Sequence, residues 1–577
     1  MFDAISAFAM TPVWPFLLGA LVVALVPNTL ARAAVCVVAP LVGLWLVITA
    51  VDGSYANATI AQLDLTMMRM DALSRLFALA FCLAGGMAAL YAWHVRDTGQ
   101  QVAILLYSGS AVGAVLAGDF ITLFVYWEVT ALASVFLIWA RATEGAFNTG
   151  MRYLGYQIGS GVLLIGGIAL VYRETGSIAF NQIATGSSDG WSAGVWLVFV
   201  GFGIKAAFPF LHSWLKDAYP AATVSGTVVL SIFTTKMAIY CLARGFSGTD
   251  LLILIGAAMA LFPLILAEIE DDLRRTLSYA LISQLGIMVV GIGIGSDLAL
   301  NGVAAHATAS IFYQGLLFMA VGAVLYRTGT AQASALGGLH RTMPLTTLFC
   351  LVGSASIASV PLFSGFVSKS MIVDATAQSA HFWAWTAILL ASVGAFINAA
   401  IKVPYRAFFG PDSGKRPAEA PTGMLMAMGI AALVCLGMGV LPGLFYTLLP
   451  TDAEYKAFTI SHMISQGQIL VLPLIVWILL NRAGAWVVTK PGTVLDFDWV
   501  LRSVITPVLM FVARFVSVCM EEARDAGRWT LGKVTQSLTY LYGPDGPAAR
   551  LQPTGSMVLW LAIILAVALS LSLIDVR

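Results

Sequence analysis

Apolar stretches long enough to cross about 30 Å of hydrocarbon recur along almost the whole chain. They fall near residues 14–27, 31–51, 73–93, 101–118, 119–140, 151–172, 192–210, 224–244, 250–268, 278–295, 300–325, 345–361, 382–405, 424–446, 467–488 and 556–573. Inside lipid every backbone polar group must be satisfied within the protein, so such segments are predicted to be helices. The expected fold class is an all-α polytopic membrane protein with about 14–16 transmembrane helices. Charge content agrees: 10% of the 577 residues are charged, where a soluble surface needs roughly a quarter. The net charge of +1 gives no reason to expect a nucleic acid partner.

Loop charges predict an orientation. Loops after odd-numbered spans hold Arg32, Arg96, Arg141, Arg152, Lys216, Arg274, Arg275, Arg327, Arg341, Arg406, Lys415 and Arg416. Loops after even-numbered spans hold roughly half as many, including Arg69, Arg75, Arg173, Arg244, Lys369 and Lys456. The basic side is expected to be cytoplasmic, which places the N-terminus outside. The start, MFDAISAF, has no basic region leading to a cleavage site, so the first apolar stretch is expected to be retained. Six cysteines are scattered through apolar segments without CxxC spacing, which argues against a disulfide framework, a metal site or an iron–sulfur cluster. No cofactor or metal is expected.

The segment from about 491 to 553 mixes apolar runs with Arg502, Arg514, Glu521, Glu522, Arg524, Asp525, Arg528 and Lys533. That pattern suits an amphipathic helix lying along an interface, bent or started by Pro507 and pinned by a last apolar anchor helix.

Ionisable residues within apolar spans carry the functional signal, because each costs a few kcal/mol unless paired or hydrated. Glu128 sits mid-span in DFITLFVYWEVTALASVFLIWA, Lys205 in VFVGFGIKAAFPFLHSW, and Lys236 in VLSIFTTKMAIY. His306 sits in VAAHATASIFYQGLLF and Lys402 in GAFINAAIKVPYRAFFG. Burial disfavours the charged form of either an acid or a base, whereas pairing favours both charges. Making and breaking a Glu128–Lys205 contact would therefore switch the lysine between holding and releasing a proton. Pro209 follows Lys205 by four residues, and Pro361 and Gly365 interrupt the twelfth span. Broken helices expose backbone polar groups at membrane depth, which is tolerated where they line a wet or buried pathway. The recurrence of the breaks suggests an internal repeat.

The residues WE in the fifth span, K-x3-PFLHSWLKDAY, DDLRRTLSYALISQLGIM and VPLFSGFVSK resemble the antiporter-like subunits shared by Mrp-type cation/proton antiporters and respiratory complex I. Within that group GLHRTMPLTT and IKVPYRAFFG are most similar to the D-type subunits of Mrp. The resemblance implies two inverted five-helix repeats, each with a broken helix, and a hydrated line of charges at mid-membrane. It implies a proton relay of Glu128, Lys205, Lys236, His306 and Lys402, and a lateral helix lying along neighbouring subunits. Ser310 and Gln314 stand where the family usually has a histidine and a lysine. With Tyr313 they are expected to hold bridging water, because hydroxyls and amides bond water well; the alternative is that this half no longer transports.

The expected organisation is residues 1–95 as N-terminal spans, 96–410 as the translocating core, 411–490 as additional spans, and 491–577 as the amphipathic segment and anchor. The expected function is the ion-translocating subunit of a multi-subunit sodium/proton antiporter in a prokaryotic-type cell membrane. The alternatives are a proton-pumping subunit of a redox-driven complex or a membrane partner in bicarbonate uptake.

Overall fold

A computed structural model describes residues 11–60, 63–452, 454–484, 506–544 and 554–574, with a few isolated positions such as Asp496. Among the described residues twelve helices are long and apolar enough to cross a membrane. Four shorter apolar helices accompany them: Trp14–Leu25, Ala193–Ala206, Pro344–Ile357 and Gly555–Ser570. The protein is thus a helical, polytopic membrane protein. One feature was not anticipated from the sequence, a hairpin between the second and third spans. Its strands, β1 (Gly53–Ile60) and β2 (Leu63–Met70), pair antiparallel. The hairpin is tied down where Gly118 donates to the Thr66 carbonyl at 3.0 Å and the Thr66 amide donates to Asp119 at 2.8 Å.

The N-terminal spans are α1 (Trp14–Leu25), α2 (Thr29–Thr49) and α3 (Ala72–Tyr91). Then come α4 (Thr98–Leu116), α5 (Phe120–Trp139), α6 (Glu144–Thr175), α7 (Ala193–Ala206), α8 (Ser213–Ala221), α9 (Val224–Ile232) and α10 (Thr234–Gly245). The pattern recurs as α11 (Asp250–Ile269), α12 (Leu273–Ile294), α13 (Asp297–Thr328), α14 (Pro344–Ile357), α15 (Ser364–Gln378) and α16 (Phe382–Ala395). α16 continues into a π-helical stretch, Phe396–Lys402.

The two series repeat in their local chemistry. Asp119 caps α5 and Asp272 caps α12, 153 residues later. α6 and α13 are both 32 residues long, begin on the hydroxyl caps Thr143 and Ser296, and end on the left-handed glycines Gly176 and Gly329. Such caps satisfy helix-end amides and carbonyls and are worth about 1 kcal/mol each. Bridges close the same loops, Asp119 with Ala179 and Asp272 with Gln332. Five spans is an odd number, so the second repeat enters the membrane from the opposite side and the repeats are inverted.

Each repeat holds one helix broken in the same way. Between α7 and α8, Ala207 (φ 64°) and Phe210 (φ 68°) adopt the left-handed conformation on either side of Pro209. Between α14 and α15, Ser359 (φ 59°) and Leu362 (φ 73°) do so on either side of Pro361. A left-handed non-glycine residue costs about 1 kcal/mol or more, and proline removes an amide donor. Gly365 lies in the first turn of α15 rather than in the break itself. A Cβ there would collide with the Ser356 carbonyl.

Beyond the repeats lie α17 (Thr422–Val440), the short α18 (Pro442–Tyr446) and α19 (Ile460–Arg482). The chain divides into two compact units, Met1–Asp496 and Phe497–Arg577. The second unit contains α20 (Thr506–Tyr542), 37 residues long, and α21 (Thr554–Ile574). Pro507 sits in the first turn of α20, where its missing amide costs nothing. Arg502 and residues 491–495 lie outside the described residues.

Candidate functional site

The first break sets the position of Lys205. Lys205 lies in the last turn of α7 and is fully buried. Its Nζ donates to the Trp127 carbonyl at 2.6 Å and the Thr130 hydroxyl at 3.1 Å, and lies 4.2 Å from the centre of the Trp127 ring. Trp127 is held in turn by its Nε1, which donates to Ser160 at 3.0 Å, while Ser160 donates to the Gly201 carbonyl at 2.7 Å.

Glu128 is the next residue along α5. Its carboxyl group presses against α6 at Gly161, where a Cβ would collide with it. Glu128 and Lys205 act on each other electrostatically, yet Lys205 takes neutral oxygens as its hydrogen-bond acceptors. The Glu128–Lys205 contact considered from the sequence is therefore open in this structure. On α6, one turn before Gly161, the buried amide of Gln157 has no protein partner at either polar atom among the described residues.

Lys236 depends on an interruption that no proline announces. Helix α9 stops at Ile232 and α10 starts at Thr234, with Phe233 between them. The fully buried Lys236 reaches back across the interruption, its Nζ donating to the Ser231 carbonyl at 2.7 Å. Tyr107 of α4 repairs the gap, accepting from the Thr234 amide at 3.1 Å and sharing a 2.6 Å hydrogen bond with its hydroxyl.

His306 is a hub. Nδ1 lies 3.0 Å from Ser368, and Nε2 lies 3.2 Å from both Gln284 and Tyr313. Ser310 bonds back to the Ala307 carbonyl at 3.0 Å. Both polar atoms of Gln314 are buried without a protein partner among the described residues. Leaving such a group unsatisfied costs about 1–3 kcal/mol, which favours a bound water.

Next to Ser368 stands Lys369, which sequence reasoning placed in a loop. Lys369 is instead buried in α15, 3% exposed, with Nζ donating to the Ile357 carbonyl at 3.2 Å on the second break. It acts electrostatically on His306, as does Lys236. Lys402, in the π-helical stretch, donates to the carbonyls of Ala267, Glu268 and Glu270 at 2.7, 2.7 and 2.8 Å. It thereby caps the C-terminus of α11, a position that attracts cations.

One further cluster was not foreseen. His212, just after the first break, meets Asp496 at 3.1 Å, and Tyr279 donates to the same oxygen at 3.1 Å. Lys216 lies 3.7 Å away, and both carboxyl and imidazole are sealed from solvent. The 284 residues separating His212 from Asp496 hid the pairing.

The arrangement sets titratable side chains on separate helices, with Lys236 and Lys369 donating to carbonyls at two of the helix interruptions and Lys205 to a carbonyl within α5. Residues 117–395 match the family described as NADH:quinone oxidoreductase/Mrp antiporter, TM. The A-type subunit of the Na(+)/H(+) antiporter of Alkalihalophilus pseudofirmus is 29% identical over 462 residues, 71% of this chain and 56% of that protein. Hydrogenase-4 component B of Escherichia coli is 28% identical over 445 residues, 69% of this chain and 64% of that protein. The chain thus spans about half to two-thirds of the length of these curated relatives. A chain of the Mrp complex from Dietzia sp. DQ12-45-1b shares the fold at a TM-score of 0.67 and 21% identity, over 83% of this chain and 100% of that one.

Proposed function

We infer the function from one premise: this chain belongs to the NADH:quinone oxidoreductase/Mrp antiporter transmembrane family, whose domain covers residues 117–395. The chain is the ion-translocating subunit of a multi-subunit cation/proton antiporter, with sodium as the exchanged cation. It works as a transporter subunit in a prokaryotic-type cell membrane, its N-terminus outside. Motifs within and just beyond this domain give the likeness to D-type subunits, and the similarity to an A-type one extends over 71% of this chain.

Protons pass along Glu128, Lys205, Lys236, His306 and Lys369, with Lys402 beside Glu268 and Glu270 at the end of α11. The observation that carries this reading is the burial of four lysines and a histidine, each donating to or facing neutral oxygens. With Lys205 on the Trp127 carbonyl, a short swing toward Glu128 alternates between a neutral acceptor and a counter-ion, and so between releasing and holding a proton. Water on Ser310, Tyr313 and Gln314 bridges the second half.

The reading is tested in membrane vesicles holding the whole assembly. Glu128→Ala and Lys205→Ala should each abolish sodium-dependent dissipation of a pH gradient while the assembly stays intact. Normal exchange in both variants would sink the relay. Similarity to a hydrogenase component supports a second reading, a proton-pumping subunit of a redox-driven complex. Proton movement that follows electron transfer and ignores sodium would favour it.

A further inference from the structure

Helix α19 lies beyond the segment that matches the family, and one of its faces docks on the second break. Gln466 donates to the Ala358 carbonyl at 3.0 Å, next along the chain from the Ile357 carbonyl that receives Lys369. One turn earlier on the same face, His462 Nε2 meets Asp374 Oδ2 at 2.8 Å. Asp374 stands on α15, five residues past Lys369. Tyr455 donates to the same Asp374 oxygen at 2.7 Å and stacks on the imidazole, ring centres 5.9 Å apart. Burial pushes the Tyr455 phenol well above its ordinary range, so it acts as a donor.

His462 Nδ1 faces the Ala457 carbonyl at 3.2 Å. Both ring nitrogens therefore face acceptors, a carbonyl on one side and a carboxylate on the other, and the imidazolium satisfies both. Among the described residues the groups facing the imidazole are Asp374 from α15, with Tyr455 and the Ala457 carbonyl from the connection before α19; Glu454 and Lys456 flank Tyr455 in the chain. The pair is 23% and 26% exposed, whereas Lys369 is 3% exposed. Exposure thus falls from this pair to a sealed lysine within about two turns of α15.

We propose that Asp374, Tyr455 and His462 form a proton-exchange port that passes protons between the outer solvent and Lys369. This rests on the relay reading of Lys369. The port binds a proton on the imidazole, with Asp374 as counter-ion, and hands it on toward the carbonyls of the second break.

The test is exchange by the intact assembly in vesicles, with the pH on the port side varied across the histidine range. His462→Ala should lower the rate about tenfold and flatten its dependence on the port-side pH. Asp374→Asn, which keeps a partner for Tyr455, should alter that dependence. Free imidazole on the port side should restore part of the His462→Ala rate, a rescue that a purely structural histidine would not show. Wild-type rate and pH profile in both variants would overturn the port, as would a lost rate that imidazole leaves untouched. Lys369→Met, assayed alongside, separates the two ideas. If it transports normally the relay reading fails; if it is inactive while His462→Ala is normal, the port alone fails.

Discussion

In the first repeat the carboxyl of Glu128 occupies the gap that Gly161 leaves between α5 and α6; 153 residues on, the same two positions hold Leu281 and Gln314. A similar exchange separates the broken helices. Lys205 stands before the first break, and its counterpart 152 residues later is Ile357. The second break takes its lysine from the other side, Lys369, which reaches back to the Ile357 carbonyl itself. Caps, helix lengths and left-handed positions recur between the repeats, while the ionisable groups do not. The second break thus supplies a carbonyl acceptor to a lysine, whereas Lys205 beside the first takes a carbonyl within α5, so like backbones carry different side-chain chemistry. In one repeat a lysine acts electrostatically on an acid without touching it; in the other a lysine acts so on a histidine.

The strongest way to break that comparison is to remove the second lysine. Lys369→Met keeps the volume and removes a buried charge, a change that is often neutral for folding. Exchange should fall at least about tenfold, as expected for loss of a positioned proton carrier. Lys402→Met should lower exchange about two- to threefold, because Lys402 caps a helix end whose dipole contribution is about 0.5 kcal/mol. Equal losses in the two variants, measured as sodium-dependent pH change in vesicles, would show that burial on the break does not mark the carrier.

A second test addresses the gap at Gly161. Gly161→Ala places a methyl group against the Glu128 carboxyl, and overpacking of this kind costs about 1–3 kcal/mol. Exchange should drop about fivefold, the rate equivalent of about 1 kcal/mol. Adding Glu128→Ala should restore thermal stability without restoring exchange. Unaltered stability in Gly161→Ala would mean the carboxyl does not rest there.

Much of this arrangement was legible from the sequence because a membrane makes charge conspicuous. Glu128, Lys205 and Lys236 stood out against apolar runs, and Pro209 and Pro361 marked both breaks. Lys369 was missed for the opposite reason. It lies in SGFVSKSMIVDATAQ, whose Ser, Asp, Thr and Gln residues read as a loop. A helix packed inside protein needs no lipid-facing apolar stripe, so the hydropathy window ended at 361. The interruption at Phe233 carries no proline or glycine, and its repair by Tyr107 is a contact across 127 residues. The hairpin is too short to compete with the neighbouring spans as a signal. The mutual position of Glu128 and Lys205 is a matter of side-chain rotamers, which sequence spacing does not encode.

Gln314 offers a smaller test on the side of the second repeat. Gln314→Leu should slow exchange about threefold, because a leucine cannot hold the bridging water that a buried amide holds at a net gain of about 0.7 kcal/mol. Gln314→Lys should leave the rate unchanged, since a lysine supplies a proton carrier of its own. A harmless Gln314→Leu would mean that protons do not cross at Gln314.

The smallest effect bears on the backbone, the part that the comparison holds constant. Ala207 and Ser359 each open a break in the left-handed conformation, which glycine adopts without the Cβ clash. Glycine at either position relieves that clash but adds freedom to the unfolded chain, worth about 0.4–1 kcal/mol in the opposite direction. The net gain should be a few tenths of a kcal/mol, read as a small rise in the melting midpoint of the purified assembly. What matters is that Ala207→Gly and Ser359→Gly shift the midpoint by the same amount, since both relieve the same strain beside the same proline. A rise at one break and a fall at the other would mean that the two breaks are held by their surroundings rather than by a shared backbone, and the chemical freedom argued for the second repeat would lose its foundation.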